Sequence, residues 1–548
     1  CSSGPRRRLE LRFKEPRSIG HVAWTTVNLD AASMEYNSAS HNMWMDNGVK
    51  ASNEFGAQLF ADERSGILEE IKGVAPEDIA DLALDAFDLE QDRKQNPGMH
   101  TLLGSRQDQE SDPSVVDADS EYIQVNQRYV ENPGIVRQYS PQVHSFYTPI
   151  QGAGIYTIPH ILTGGDDFKF HVVISRKQRS QDSEGRFNTV EKPDPNYVNE
   201  KTGARTLDSA IQEAEEMEKS SGIKFDFVFG TDPDADRSSY AVRNREGKWK
   251  VIKANDVWSL FAWYRLTQLA RQGKLKDGVW AIETWVTTDL IAEIVQDPQF
   301  NLRVLKPAVG FNKIAEVALR EIVLPVLVER HGGVDLKELQ RTKVLTLDKL
   351  VGIFGVSSRK EMMGEINAIL KEFLLFGAEE SNGYSPGGHT LEKDGAVAAV
   401  TFHEIAAFVK YINNNKEVAG RDDPFLASYF AAFAGKDLAI DELLNRVYLQ
   451  YGYYATENIP LPFEGLTGNA QKDKVLKDIS DWAAKVNDGK ETVTIGDDQQ
   501  VQKVFSGKEQ ASTENVQFNE PGYKFMLGEK DYIATRPSGT EPYIRIYG

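Results

Sequence analysis

The segment from Leu207 to Arg237 constrains this chain most. Leu207, Ala210, Ile211, Ala214 and Met217 recur at helical spacing. Ser220-Ser221-Gly222 then supplies a stop, and Phe225–Phe229 follows as a run that reads as a buried strand. The strand runs straight into Thr231-Asp232-Pro233-Asp234-Ala235-Asp236-Arg237. Helix, glycine, strand and acidic loop form an α/β unit whose loop lies at the strand's C-terminal end, where open α/β sheets place their ligands.

Three carboxylates at alternate positions of a turn repel one another unless a cation lies among them. Oxygen-only donors suit a hard divalent ion, and three protein ligands leave room for a phosphate oxygen, which is how Mg²⁺ is commonly held. A Ca²⁺ loop of the EF-hand kind is excluded, because counting from Asp232 places Arg237 where glycine is required and Arg243 where glutamate is required. A solvated acidic turn is the bland alternative, and the preceding buried strand favours a site.

Three further loops carry chemistry. Ser38-Ala39-Ser40-His41-Asn42, with Asp46-Asn47-Gly48-Val49-Lys50 behind it, sets a serine beside a histidine and a lysine. That is equipment for an activated nucleophile, although a Ser/Asn cluster alone also makes turns and caps. No GxSxG elbow surrounds the serine, so acyl-transfer hydrolysis gains no support. Gly377-Ala378-Glu379-Glu380-Ser381-Asn382-Gly383, followed by Gly387-Gly388-His389 and Glu392-Lys393-Asp394-Gly395, offers carboxylate and hydroxyl to sugar hydroxyls or is a polar loop. Arg536-Pro537-Ser538-Gly539-Thr540-Glu541-Pro542, with Arg545 beyond, combines hydroxyls, a glycine and two arginines in a pattern suited to phosphate.

In this order the four loops resemble the α-D-phosphohexomutase family, and within it the phosphoglucomutases, from about Ser38 to Tyr547. The resemblance implies three related α/β domains and a smaller α+β C-terminal domain around a central cleft. Its boundaries fall as residues 1–120, 121–250, 251–415 and 416–548. It implies that Ser40 carries the transferable phosphate. Asp232, Asp234 and Asp236, with the phosphoserine oxygen, then hold Mg²⁺. Lys50 is implied as a general acid/base with His41 beside the serine, and Arg237 as a phosphate contact at the centre. Glu379, Ser381 and His389 are implied as substrate ligands. Arg536, Ser538, Gly539, Thr540 and Arg545 are implied to grip the non-reacting phosphate.

The activity that follows is reversible phosphoryl transfer between glucose 1-phosphate and glucose 6-phosphate, with a hexose 1,6-bisphosphate as intermediate and activator. Phosphomannomutase, phosphopentomutase, bisphosphate synthase or a catalytically impaired sugar-phosphate binder are the alternatives. Gln151 stands where the family usually has histidine, and Glu283 where lysine is common.

Composition narrows partners and compartment. The 548 residues include 63 Lys and Arg against 82 Asp and Glu, a formal charge of −19, which disfavours nucleic acid and anionic membranes. The apolar run Ile322–Val328 is far shorter than the roughly 20 residues a spanning helix needs. One cysteine, Cys1, fits a reducing, cytoplasmic setting and excludes an internal disulfide. Small-molecule sugar phosphates are the expected partners of a monomer or weak homo-oligomer. The chain has 39 residues before Ser40, room for at most one βαβ unit of about 30 residues, whereas the family has roughly a hundred there. The first domain is therefore expected to be incomplete. Residues 330–361 read as an insertion.

Overall fold

The computed structural model describes residues 10–75, 100–180, 186–199, 201–434, 436–463, 465, 467–489, 492, 494–495, 499–513, 516–538 and 542–548. The segment Pro76–Ala86, whose early proline and acids and helically spaced Ile79, Leu82, Ala83 and Ala86 predict a helix, and the candidates Gly539 and Thr540 lie outside the described residues. The protein is an α/β chain with several sheets, and it divides into two compact units. The first comprises residues 1–241, 343–347 and 389–414, and the second comprises 242–342, 348–388 and 415–548.

In the first unit, strands Glu10–Phe13, His100–Gly104 and Val115–Asp117 form a parallel sheet. The short N-terminal stretch thus contributes a strand and the helix Ile19–Asn28. The second and third of the sheet's strands, five and three residues long, are too short to show a period in the sequence. A second sheet has His144–Thr148 at its heart, parallel to both His171–Ile174 and Phe227–Thr231.

The expected helix runs Asp208–Ser221 and ends on Gly222, whose φ of 75° is the left-handed conformation that glycine adopts at helix ends. Its sequel, Phe227–Thr231, is wholly buried. The helix Gly395–Asn414 covers this sheet: Phe402 stacks on Tyr240 at 4.0 Å, and the His403 ring lies 4.8 Å from Phe227. By length and composition this helix could cross a membrane, a possibility no shorter apolar run suggested, yet 89% of its most apolar window is buried in the protein. It is a core helix.

In the second unit, Trp280–Glu283 pairs in parallel with Arg303–Leu305 and Leu374–Ala378. The helix Ala254–Arg271 supplies Trp258 and Phe261, which close on Tyr384 with ring centroids 5.2 Å apart in both cases. A separate antiparallel sheet runs in the order Asn458–Pro462, Tyr543–Tyr547, Tyr532–Pro537, Tyr523–Met526, Lys503–Ser506. Residues 411–424 are mostly helical, in Gly395–Asn414 and Lys416–Asp422. The 330–361 stretch is also largely helical, and its Lys343–Leu347 piece belongs to the first unit, where the Leu347 amide donates to Glu54 at 2.5 Å.

Candidate active site

The acidic loop begins where the strand Phe227–Thr231 ends, and its backbone turns the carboxylates together. Asp232 Oδ1 accepts from the amides of Asp236 and Arg237, both at 3.1 Å. Ala235, at φ 53°, supplies the left-handed step. Asp232, Asp234 and Asp236 are all buried, and each offers an oxygen within 4.8 Å of the others. Outside contacts hold the loop: Ile19 N donates to Asp234 O at 3.0 Å, Gly395 N to Ala235 O at 3.0 Å and Ala153 N to Pro233 O at 2.8 Å.

A hairpin delivers the serine. Met34–Asn37 pairs antiparallel with Val49–Ser52, placing Tyr36 opposite Lys50 and closing the ten-residue interval between Ser40 and Lys50. Ser40 itself has φ 57°. Its Oγ lies 3.4 Å from Asp232 Oδ2, 3.3 Å from Lys50 Nζ and 3.3 Å from His41 Nδ1. Lys50 Nζ in turn reaches Asp234 at 2.5 Å and Asp236 at 3.3 Å. Ser40, His41, Lys50 and the three aspartates, far apart in sequence, therefore form one cluster. Arg237 joins it, with Nε 3.9 Å from Asp236.

Electrostatics sharpen the division of labour. Burial, reinforced by Asp236 and Asp234, pushes the Asp232 carboxyl well above its ordinary range. For Lys50, burial opposes the ammonium, but Asp236 and Asp234 outweigh it and keep the side chain protonated. His41 goes the other way: burial first, then the Arg237 guanidinium, hold its imidazole neutral, despite Asp194 at 3.7 Å. A proton donor and a neutral imidazole thus flank one hydroxyl.

Several participants were not assigned from sequence. Ser38 Oγ donates to Asp234 and accepts from the Ser40 amide. Lys393 Nζ lies 3.4 Å from Asp236. Both residues stand inside the quoted motifs, so the signal was proximity to a motif without a role to attach to it. The side chain of His389, expected as a substrate ligand, is fully buried, with Nε2 2.9 Å from Asp394.

The fit to a metal can be judged from these atoms. The donors are oxygens only, their charges are crowded and buried, and Asp236 Oδ1 is buried without a hydrogen-bond partner among the described residues. Such a set is suited to a hard divalent cation.

The second unit holds the remaining candidates. A tight turn between Leu374–Ala378 and Tyr384–Ser385 presents Glu379 and Ser381: Glu379 N donates to Gly383 O at 2.9 Å, Ser381 Oγ to Glu379 Oε2 at 3.4 Å, and Trp258 Nε1 to Glu379 O at 2.8 Å. Burial, then Glu379, raises the Glu380 carboxyl above its ordinary range. Arg536 and Arg545 face each other on adjacent antiparallel strands. Arg536 Nε donates to Glu520 at 2.6 Å, while the Ser538 carbonyl accepts from Lys472 at 3.3 Å. In the first unit, Gln151 is buried, at φ 59°, and donates to Ser180 O at 2.5 Å and Asn188 at 3.0 Å.

Residues 122–247 match the model of phosphoglucomutase/phosphomannomutase, α/β/α domain II. Over 549 residues the chain is 24% identical to a human phosphopentomutase, covering 98% of this chain and 71% of that protein. It is 22% identical to a Staphylococcus haemolyticus phosphoglucomutase, across 73% of this chain and 56% of that one. Its fold is similar to that of pp63/parafusin, a phosphoglucomutase from Paramecium solved in an open form. That likeness has a TM-score of 0.51 at 16% identity, covering 97% of this chain and 76% of that one.

Proposed function

We propose that this chain, which belongs to the α-D-phosphohexomutase superfamily, interconverts the 1-phosphate and 5-phosphate of a pentose through a phosphoserine at residue 40. At the coarser level it is a sugar-phosphate mutase, an isomerase that moves a phosphoryl group within one molecule. The observation that carries the chemistry is the convergence of Ser40 Oγ with Lys50, His41 and the buried aspartates. The pentose reading is supported by similarity to phosphopentomutase along nearly the whole chain.

In this reading phosphorylated Ser40 gives its phosphoryl group to the free hydroxyl of a sugar monophosphate. Lys50, held as an ammonium, donates a proton toward the departing Oγ and recovers it in the reverse step. His41 is kept neutral and accepts the proton of the attacking hydroxyl. The resulting bisphosphate turns over and returns its other phosphate to Ser40. Asp232, Asp234 and Asp236 would hold Mg²⁺ with a phosphoserine oxygen. When bound, that ion neutralises charge on the transferring group. Arg536, Ser538 and Arg545 are assigned to the non-reacting phosphate, and Glu379 with Ser381 to sugar hydroxyls. Arginine suits the first task because its fork matches phosphate geometry whichever phosphate arrives.

A hexose reading is second, favoured by the phosphoglucomutase match and by the Glu379–Gly383 loop. Coupled assays with ribose 1-phosphate and glucose 1-phosphate, each primed with its bisphosphate, separate the two. A kcat/KM at least about tenfold higher for ribose 1-phosphate, some 1.4 kcal/mol of transition-state discrimination, is expected. Preference for glucose 1-phosphate would replace the pentose reading with the hexose one.

A further inference from the structure

We propose that His389 is a positioning residue that locks Asp394, and through it the aspartate loop, rather than a ligand of the sugar. The inference builds on the reading of that loop as the divalent-cation site. The side chains of His389 and Asp394 have no solvent exposure, and His389 Nε2 lies 2.9 Å from Asp394 Oδ2. The Tyr122 hydroxyl donates to the same oxygen at 2.7 Å. Asp394 Oδ1 accepts from the Ala396 amide at 2.9 Å, capping the first turn of helix Gly395–Asn414. Three donors thus satisfy a carboxylate that burial would otherwise make costly.

Asp394 stands between two of the loop's backbone anchors. The next residue, Gly395, donates to Ala235 O, and a β-carbon on it would lie 2.7 Å from that oxygen. On the other side is Gly20, where a β-carbon would lie 2.7 Å from Asp394 Cγ, and its neighbour Ile19 donates to Asp234 O. The preceding residue, Lys393, carries its ammonium to Asp236. A shift of Asp394 is therefore transmitted to Asp234, Ala235 and Asp236 together. His389 is fixed in turn by the Tyr129 ring, 5.0 Å away. Its side chain has no solvent-exposed face.

The test measures Mn²⁺ affinity by calorimetry and steady-state kinetics for wild type, His389→Ala, His389→Gln and Tyr122→Phe. His389→Ala should weaken Mn²⁺ about tenfold and lower kcat about tenfold, with KM for the sugar phosphate within twofold of wild type. His389→Gln keeps a donor for Asp394 and should restore most of both, while Tyr122→Phe should weaken Mn²⁺ by a smaller factor. A tenfold rise in KM with Mn²⁺ affinity intact would make His389 a sugar ligand and overturn the proposal, as would unchanged Mn²⁺ affinity in all three variants. If His389→Ala does not fold, His389→Gln and Tyr122→Phe still decide by Mn²⁺ affinity. Absence of turnover in the wild type would remove the mutase reading, yet the Mn²⁺ affinities would still judge the positioning role.

Discussion

Ser40 holds a backbone conformation that its side chain does not favour. A residue with a β-carbon at φ 57° costs about 1–2 kcal/mol, and strain of this size concentrates at functional positions. Ser40→Gly and Ser40→Ala both lose the hydroxyl, so their difference isolates the backbone. Ser40→Gly should be the more stable by about 1 kcal/mol in urea unfolding, after the larger unfolded-state entropy of glycine is subtracted. Equal stability would mean that the left-handed turn stores nothing. Glu283 is a second residue at odds with its surroundings. Burial raises its carboxyl to about 7 from 4.5, with Lys306 opposing at 3.0 Å. The folded state therefore binds this proton more tightly than the unfolded chain, and its contribution to stability declines as pH rises from about 4.5 to about 7. Between pH 5 and 8, the wild-type Tm should fall about 2–4 °C further than that of Glu283→Gln. Parallel curves would show that Glu283 ionises normally. Sequence could mark Glu283 as unusual, but its consequence depends on Lys306 and Asp289, brought beside it by the fold.

Elements were legible where their period outlasted their ends. The helix Asp208–Ser221 and the strand after it could be read because fourteen residues keep one apolar face and a glycine closes them. Strands such as Val115–Asp117 could not, since three residues cannot display an alternation, and their identity comes from the neighbour they pair with. The same holds for the site. The aspartate loop announced itself by composition, whereas Lys393, Ser38 and the buried His389–Asp394 pair are defined by contacts between distant elements. Gly152 shows how closely those elements approach. A β-carbon there would lie 2.2 Å from Pro233 Cα, inside the aspartate loop. Gly152→Ala should retain the circular dichroism of the wild type but lose kcat by roughly a hundredfold, because displacement of about 1 Å suffices for that. Near wild-type turnover would mean that the loop tolerates the shift.

At the scale of the molecule, each compact unit is assembled from segments far apart in the chain. The first gathers 1–241, 343–347 and 389–414, so the aspartate loop shares its core with a helix some 160 residues later. No continuous stretch of sequence contains the whole cluster, which is why four motifs in order were more informative than any local pattern. The formal charge of −19 gives anionic substrates no general attraction. The cationic groups proposed to meet them are local: Lys50, Lys393 and Arg237 in one unit, and Arg536 and Arg545 in the other. All of these assignments depend on one covalent event at one residue. The purified protein, incubated with ribose 1,5-bisphosphate or glucose 1,6-bisphosphate and Mg²⁺ and then digested, is analysed by mass spectrometry. One added phosphate is expected on the peptide carrying Ser40, removed again by the matching sugar monophosphate. Phosphate on another residue, or none on any peptide, would contradict that expectation.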